Sequence, residues 1–291
     1  MNKTKSRINK LILLLIIASL TGSIIYGAFI YHNEAQIHTA VKLDGSYKLV
    51  FGDDFSGDVL DNNKWATCYD RYDSKLAGCS NYGNNEDEWY QSSQISIRNG
   101  SLVLTADRTN TIGSDGHGSV KNYAYKSGMV SSGSLDHNTA EKWSSKYGYF
   151  EAKIKVPSGQ AAWPAFWLLP SNHQWPPEID VMEITGDKPN TLLATYFWPV
   201  NSAPQKDNSK YISKNDLSTD WHIYSLNWGP NEIIWYLDGK VVKSVKSTNV
   251  SSQNMYVLLN LAVGGNLPGK PDKTTPSKLE MLVDYVRVYQ K

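Results

Sequence analysis

Apolar residues recur at every second position over several short stretches of this chain. No long stretch repeats them every three or four residues, so strands rather than helices are expected. The clearest strand signals lie at 101–106, 147–156, 191–197, 221–228, 232–238, 255–263 and 279–289. In 147–156 the alternation separates Phe150, Ala152, Ile154 and Val156, which read as core, from Tyr147, Tyr149, Glu151 and Lys153 on the other face. Asp238-Gly239 between two apolar runs is a two-residue hairpin signal. Many strands punctuated by turns, without strand–helix alternation, indicate an all-β sandwich of two sheets.

Residues 177–184 read Pro-Glu-Ile-Asp-Val-Met-Glu-Ile, three carboxylates inside an otherwise apolar strand. A period of two puts Glu178 and Asp180 on one face and Glu183 on the other. One extra residue, absorbed as a β-bulge around Val181-Met182, brings all three to the same side, and the bulge is therefore predicted. Two carboxyls about 5 Å apart are what a retaining glycosidase uses, one attacking the anomeric carbon and the other protonating the leaving oxygen. A third between them can hydrogen-bond the nucleophile and help separate the two proton affinities. The spacing alone suits equally an edge strand with a solvated acidic face. Trp175, three residues before Glu178, stands at a cleft wall if Glu178 lines a cleft, and is otherwise buried under a loop.

Aromatic residues make up 12% of the chain, with 10 Trp and 18 Tyr, and many fall outside clean apolar stripes. They can fill a sandwich core or stack on sugar faces. A formal net charge of +1, with no basic block beyond the N-terminal region, argues against nucleic acid as the main partner. Lys3, Lys5, Arg7 and Lys10 precede an uncharged apolar run at 11–30, long enough to cross a bilayer with the N-terminus inside. Residues 1–33 are therefore expected to be an uncleaved signal anchor or a signal peptide, with cleavage near Ala40 in the second case. Residues 34–43 then form a linker and 44–291 one exported domain, secreted or tethered to the outer face of the membrane and expected to be monomeric. Cys68 and Cys79 in an exported chain read as a disulfide closing a loop of about ten residues.

Asp284 alternates with Leu282, Val286 and Val288 and is expected among apolar neighbours, where an unpaired carboxylate is costly. A hydrogen-bond network, an arginine or calcium would each serve as its partner.

Several runs together resemble glycoside hydrolase family 16, specifically its bacterial laminarinase-like branch. They are Gly-Tyr-Phe-Glu-Ala-Lys-Ile-Lys-Val-Pro at 148–157, Trp-Pro-Ala-Phe-Trp at 163–167, Glu-Ile-Asp-Val-Met-Glu at 178–183, Asn-Leu-Ala-Val-Gly-Gly at 260–265 and Val-Asp-Tyr-Val-Arg-Val-Tyr at 283–289. The resemblance implies a β-jelly-roll of two curved antiparallel sheets with an open cleft across the concave one, and endo-hydrolysis of β-glucan with retention. It implies Glu178 as nucleophile, Glu183 as acid/base and Asp180 as the assisting residue, an assignment that the spacing alone does not make. Trp163, Trp167 and Trp175, together with Tyr90 and Trp198, would be rings of the cleft. The Gly-Asn-Asn-Glu stretch at 83–86 is by itself a polar turn; the resemblance places Asn84 and Asn85 at sugar subsites and Glu151 on the concave face. It also implies structural calcium on the convex side, through Asp284 and the carbonyls of Asp54 and Gly100, and no cofactor for catalysis.

Two departures bear on specificity rather than on the acids. Thr195-Tyr196-Phe197-Trp198 lacks a histidine frequent in the branch, and Leu267 stands where tryptophan is common. Relatives in the family cleave mixed-linkage glucan, agars, carrageenans or xyloglucan, and some transglycosylate. A non-catalytic lectin on the same sandwich has no need of both glutamates. An enzyme trimming the producer's own exopolysaccharide fits an anchored N-terminus.

Overall fold

In a computed structural model that describes residues 41–201 and 203–291, the alternating stretches pair into two stacked sheets. The N-terminal apolar run lies outside the described residues. Among those described, no helix is long and apolar enough to cross a membrane. With strands numbered in chain order, one sheet runs β16 (Lys240–Lys246), β15 (Glu232–Leu237), β14 (His222–Trp228), β9 (Gly148–Lys155), β18 (Lys278–Gln290), β4 (Ser101–Asp107), β7 (Tyr125–Ser127), β2 (Glu88–Tyr90). β1 (Lys48–Asp53) also pairs with β18, and β3 (Ile95–Arg98) with β4. The second sheet runs β13 (Ala203–Ile212), β12 (Thr191–Val200), β11 (Glu178–Ile184), β10 (Ala162–Pro170), β17 (Met255–Val263), β8 (Met129–Ser131), and a separate hairpin joins β5 (Thr111–Ser114) to β6 (Val120–Tyr123). Pairing is antiparallel except between β2 and β7. The architecture is the two-sheet sandwich that the strand pattern predicts, in the jelly-roll form that the resemblance implies.

The predicted strands at 101, 147, 191, 221, 232, 255 and 279 each begin within one residue of an observed one. Asp238 and Gly239 take φ of 48° and 76°, the left-handed pair that a tight hairpin between β15 and β16 requires. β13 carried no such signal: its residues are almost all exposed and mostly polar, and only its ladder with β12 makes it a strand.

Phe150, Ala152 and Ile154 of β9 meet Phe166 and Leu168 of β10 and Val257, Leu259 and Leu261 of β17 in one buried core between the sheets. A second cluster covers the outer face of the six-stranded sheet, joining Ala165, Trp167 and Leu258 to Tyr69, Tyr90 and the Cys68–Cys79 disulfide. β17 is thus buried on both faces and reads as an unbroken apolar run apart from Asn260.

Asp284 departs from expectation. A register shift between Val283 and Tyr285 breaks the alternation of β18 and turns this side chain outward, 37% exposed, with its carboxylate 2.8 Å from Lys153 Nζ. The Asp54 carboxylate accepts the Ser56 N–H at 3.2 Å, and Gly100 sits in the β3–β4 turn at φ 71°. Asp284 thus has a lysine as its partner and does not depend on calcium for one.

Replacing Cys68 and Cys79 together by serine is expected to lower the unfolding free energy by about 3 kcal/mol or more, because the unfolded chain loses a constraint on a short loop. The change would appear as a lower urea midpoint, with a slope equal to or slightly steeper than the parent's as the unfolded chain expands. An unchanged midpoint would mean that packing alone holds the loop.

Candidate active site

β11 carries the bulge. Against β10, Glu183 faces Ala165, Met182 faces Phe166 and Asp180 faces Trp167, which leaves Val181 without a partner. Against β12, Asp180 faces Thr195 and Glu183 faces Leu193, so Ala194 alone spans Val181 and Met182. The extra residue sends Ile179, Val181, Met182 and Ile184 into the core. Glu178, Asp180 and Glu183 are left on the opposite face, Asp180 only 4% exposed and both glutamates half-buried.

Tryptophan N–H groups serve both glutamates. Trp175 Nε1 donates to Glu178 Oε2 at 2.6 Å, and Trp163 Nε1 donates to Glu183 Oε1 at 3.0 Å. Trp167 lies on the floor beside Asp180 and donates to Asn260 Oδ1 at 2.8 Å. A cavity of about 500 Å³ lies over this floor, lined by Tyr69, Arg71, Trp167, Trp175, Glu178 and Phe197 among others. Glu183 and Trp163 stand farther along the same sheet face, outside that lining.

Burial is the largest influence on all three acids, pushing each toward its neutral form. For Glu178 it raises the pKa to about 7, opposed by the Trp175 N–H, a hydrogen bond with Asp180 and the charge of Arg71. For Glu183 it also gives about 7; the charge of Glu178 and of buried Glu86 push the same way, and only the Trp163 N–H and Lys206 oppose. Asp180 is held well above the usual carboxylate range by burial and then by both glutamate charges, with Lys243 opposing. Asp180 is therefore the neutral member and donates a hydrogen bond to Glu178 while keeping its own proton. Two donors and a nearby guanidinium favour the anion on Glu178, while two neighbouring negative charges favour the acid on Glu183. The three groups titrate as a unit, and these surroundings separate their forms.

The remaining expected residues divide. Asn84 lines the cavity, its amide donating to Glu86 Oε1 at 3.0 Å. Asn85 is exposed, takes φ 58° and donates to Asn266 Oδ1 at 2.9 Å, outside the cavity lining. Tyr90 is fully buried beneath the floor, its hydroxyl accepting the Asn260 amide at 2.9 Å, so it supports the cleft rather than lining it. Trp198 shares parity with core-facing Tyr196 and stacks on it at 5.4 Å. Phe197, which pairs with Glu178 in register, takes the cleft position and lies 5.7 Å from the Trp175 ring. Glu151 is buried on β9 in the other sheet, so it is not on the cleft face. Alternation told its face but not its sheet.

Sequence reasoning also missed Tyr69 and Arg71. The disulfide-closed loop brings them to the cavity, where Arg71 Nη1 is fixed by Asn81 Oδ1 at 3.1 Å and the Tyr82 carbonyl at 2.9 Å. Their only signal was proximity to Cys68. Among the described residues no group of three or more His, Cys, Asp or Glu is placed to hold a metal ion.

The sequence profile described as "Glycosyl hydrolases family 16" matches residues 83–287. The chain is 33% identical to the endo-1,3-1,4-beta-glycanase EglC of Rhizobium meliloti over 73% of its own length, and spans 45% of that relative, less than half. It is 30% identical to a glucan endo-1,3-beta-glucosidase of Cryptopygus antarcticus, over 77% of this chain and 83% of that one. Its fold matches the catalytic domain of an endo-1,3-beta-glucanase (laminarinase) from Thermotoga petrophila with a TM-score of 0.71, at 31% identity over 84% of this chain and 98% of that one.

The raised proton affinities of Glu178 and Glu183 imply a pH dependence of stability. The folded protein keeps protons that the unfolded chain releases near pH 4.5, so stability falls as pH rises from about 4.5 to about 7. Glu178→Gln removes part of that fall. Its Tm is expected to exceed that of the parent at pH 8 and to lose the advantage at pH 4; equal Tm values at both would mean that Glu178 is not destabilised by burial.

Proposed function

The chain belongs to glycoside hydrolase family 16, and from that membership and the geometry of β11 we propose that it is a retaining endo-hydrolase of β-1,3-linked glucan, with mixed β-1,3/1,4-linked glucan as the nearest alternative substrate. One observation carries the reading: a bulge at Val181–Met182 sets Glu178, Asp180 and Glu183 on one face of a strand flooring an open cavity. Glu178 attacks the anomeric carbon while Glu183 gives its proton to the leaving oxygen. Glu183, now a base, draws a proton from water, which releases the sugar from Glu178. Asp180, neutral at the start, hydrogen-bonds Glu178 and withdraws electron density as the glycosyl ester breaks. The exposed Trp175 ring and Phe197 offer sugar-stacking faces beside the nucleophile.

A binding protein on this scaffold has no use for two half-buried glutamates whose surroundings favour opposite forms, which favours catalysis over a lectin role. The disulfide and the basic–apolar N-terminal sequence support export, and an uncleaved anchor would keep the enzyme at the outer membrane face. That placement suits trimming of the producer's own exopolysaccharide as well as degradation of external glucan.

Glu178→Gln is expected to cut turnover on laminarin by several orders of magnitude with folding intact. Glu183→Ala should form a β-glycosyl azide when azide and an activated substrate are supplied; near-normal turnover in the first variant, or no azide product in the second, would contradict the roles.

The rate should be bell-shaped in pH, falling on the acid side as Glu178 takes a proton and on the basic side as Glu183 loses one. Trp175→Phe removes a donor from the Glu178 anion and should move the acid limb upward. Trp163→Phe does the same for Glu183 and should move the basic limb upward. Movement of the opposite limb in either variant would reverse the assignment.

A further inference from the structure

Backbone carbonyls where a strand is bulged lose regular ladder partners, and a buried carbonyl without a donor is costly. At the β11 bulge, donors arrive from the other sheet. Asp180 C=O accepts Trp235 Nε1 at 2.8 Å, with both groups buried. Across the bulge, the carbonyl of Ala194, the lone residue spanning Val181 and Met182, accepts Lys243 Nζ at 2.9 Å. Trp235 on β15 and Lys243 on β16 are cross-strand partners, and the ammonium lies 4.7 Å from the centre of the indole ring. The Lys243 side chain is 3% exposed, and its remaining contacts are the Asp207 carbonyl at 2.6 Å and the Asp207 carboxylate at 3.1 Å on β13.

Burying an ammonium in a sandwich core is expensive unless its contacts return the cost. Apolar side chains at 235 and 243 would fill the same space, but would leave the carbonyls on both sides of the bulge without these donors. We propose that Trp235 and Lys243 form a positioning clamp, reaching across the core to fix the β11 bulge and through it the placement of Glu183 relative to Glu178. The inference rests on the hydrolase reading for its kinetic consequence but not for its structural one.

The clamp touches no substrate, so its removal should lower kcat while leaving KM nearly unchanged. It should also loosen the contact between the two glutamates. Glu183 owes its raised proton affinity first to burial and next to the charge of Glu178, with Glu86 adding to it and the Trp163 N–H and Lys206 opposing. A loosened bulge therefore lowers the pKa of Glu183 and moves the basic limb of the rate profile to lower pH.

Trp228 provides the control. Its buried indole makes an equivalent bond, Nε1 to the Ser251 carbonyl at 3.1 Å, away from β11. Trp235→Phe and Trp228→Phe each remove one indole N–H while keeping a ring.

The experiment compares the two variants by ¹³C NMR titration of the glutamate carboxyls and by steady-state kinetics on laminarin. A clamp predicts that Trp235→Phe lowers the apparent pKa of Glu183 and reduces kcat about tenfold or more with KM within about twofold. Trp228→Phe should lower only Tm. Equal behaviour of the two variants, or an unmoved Glu183 titration in Trp235→Phe, overturns the clamp. The titration needs no turnover, so a parent protein inactive on laminarin and on mixed-linkage glucan would refute the β-glucan hydrolase reading while leaving the clamp to be decided by NMR.

Discussion

Three carboxyl groups held together on a half-buried strand face are mutually repulsive and poorly solvated, and the site depends on containing that repulsion. A regular strand would avoid the conflict by turning Glu183 into the core, where a charge is far worse. The bulge at Val181–Met182 keeps all three outside the core and sets them close enough for both glutamate charges to raise the proton affinity of Asp180, and for Glu178 to raise that of Glu183. The result is a set of acids that cannot all be ionised near neutrality. Double displacement at a sugar needs that condition: one anion to attack and one acid to protonate.

The surroundings then decide which acid holds which form. Indole donors arrive from the loop before β11 for Glu178 and from β10 for Glu183, while Arg71 reaches the cavity from the disulfide-closed loop on the nucleophile's side. Glu86, nearly inaccessible, adds negative charge on the other side. Beneath them, Trp167, Asn260 and buried Tyr90 form a hydrogen-bonded floor whose members are fixed before a sugar arrives. Pre-organisation of this kind is what allows bound geometry to contribute to rate.

Much of this was legible in sequence. Alternation located seven strands to within a residue at their starts, Asp238-Gly239 marked its hairpin, and the spacing of Glu178, Asp180 and Glu183 within an apolar run predicted a bulge, though it suited a solvated edge strand as well. The misreadings share one physical origin, because periodicity reports the side of a strand and says nothing of its neighbours. Alternation gives Glu151 the correct face of β9, but β9 belongs to the other sheet. Trp198 and Phe197 are adjacent, and only the register of β12 on β11 shows that Phe197 stands beside Glu178. A second bulge, in β18, turned Asp284 out to Lys153 where alternation expected burial. Arg71 and the edge strand β13 owe their places to a disulfide and to a neighbouring strand, neither of which leaves a periodic trace.

The β11 face is arranged for two successive displacements at one carbon. Proton NMR of the first products of glucan cleavage, recorded before mutarotation, tests it most directly. Double displacement delivers the new reducing ends as the β-anomer, which drifts afterwards to the equilibrium mixture. Initial appearance of the α-anomer would mean that water attacks directly, and would contradict Glu178 as the group that first takes the sugar.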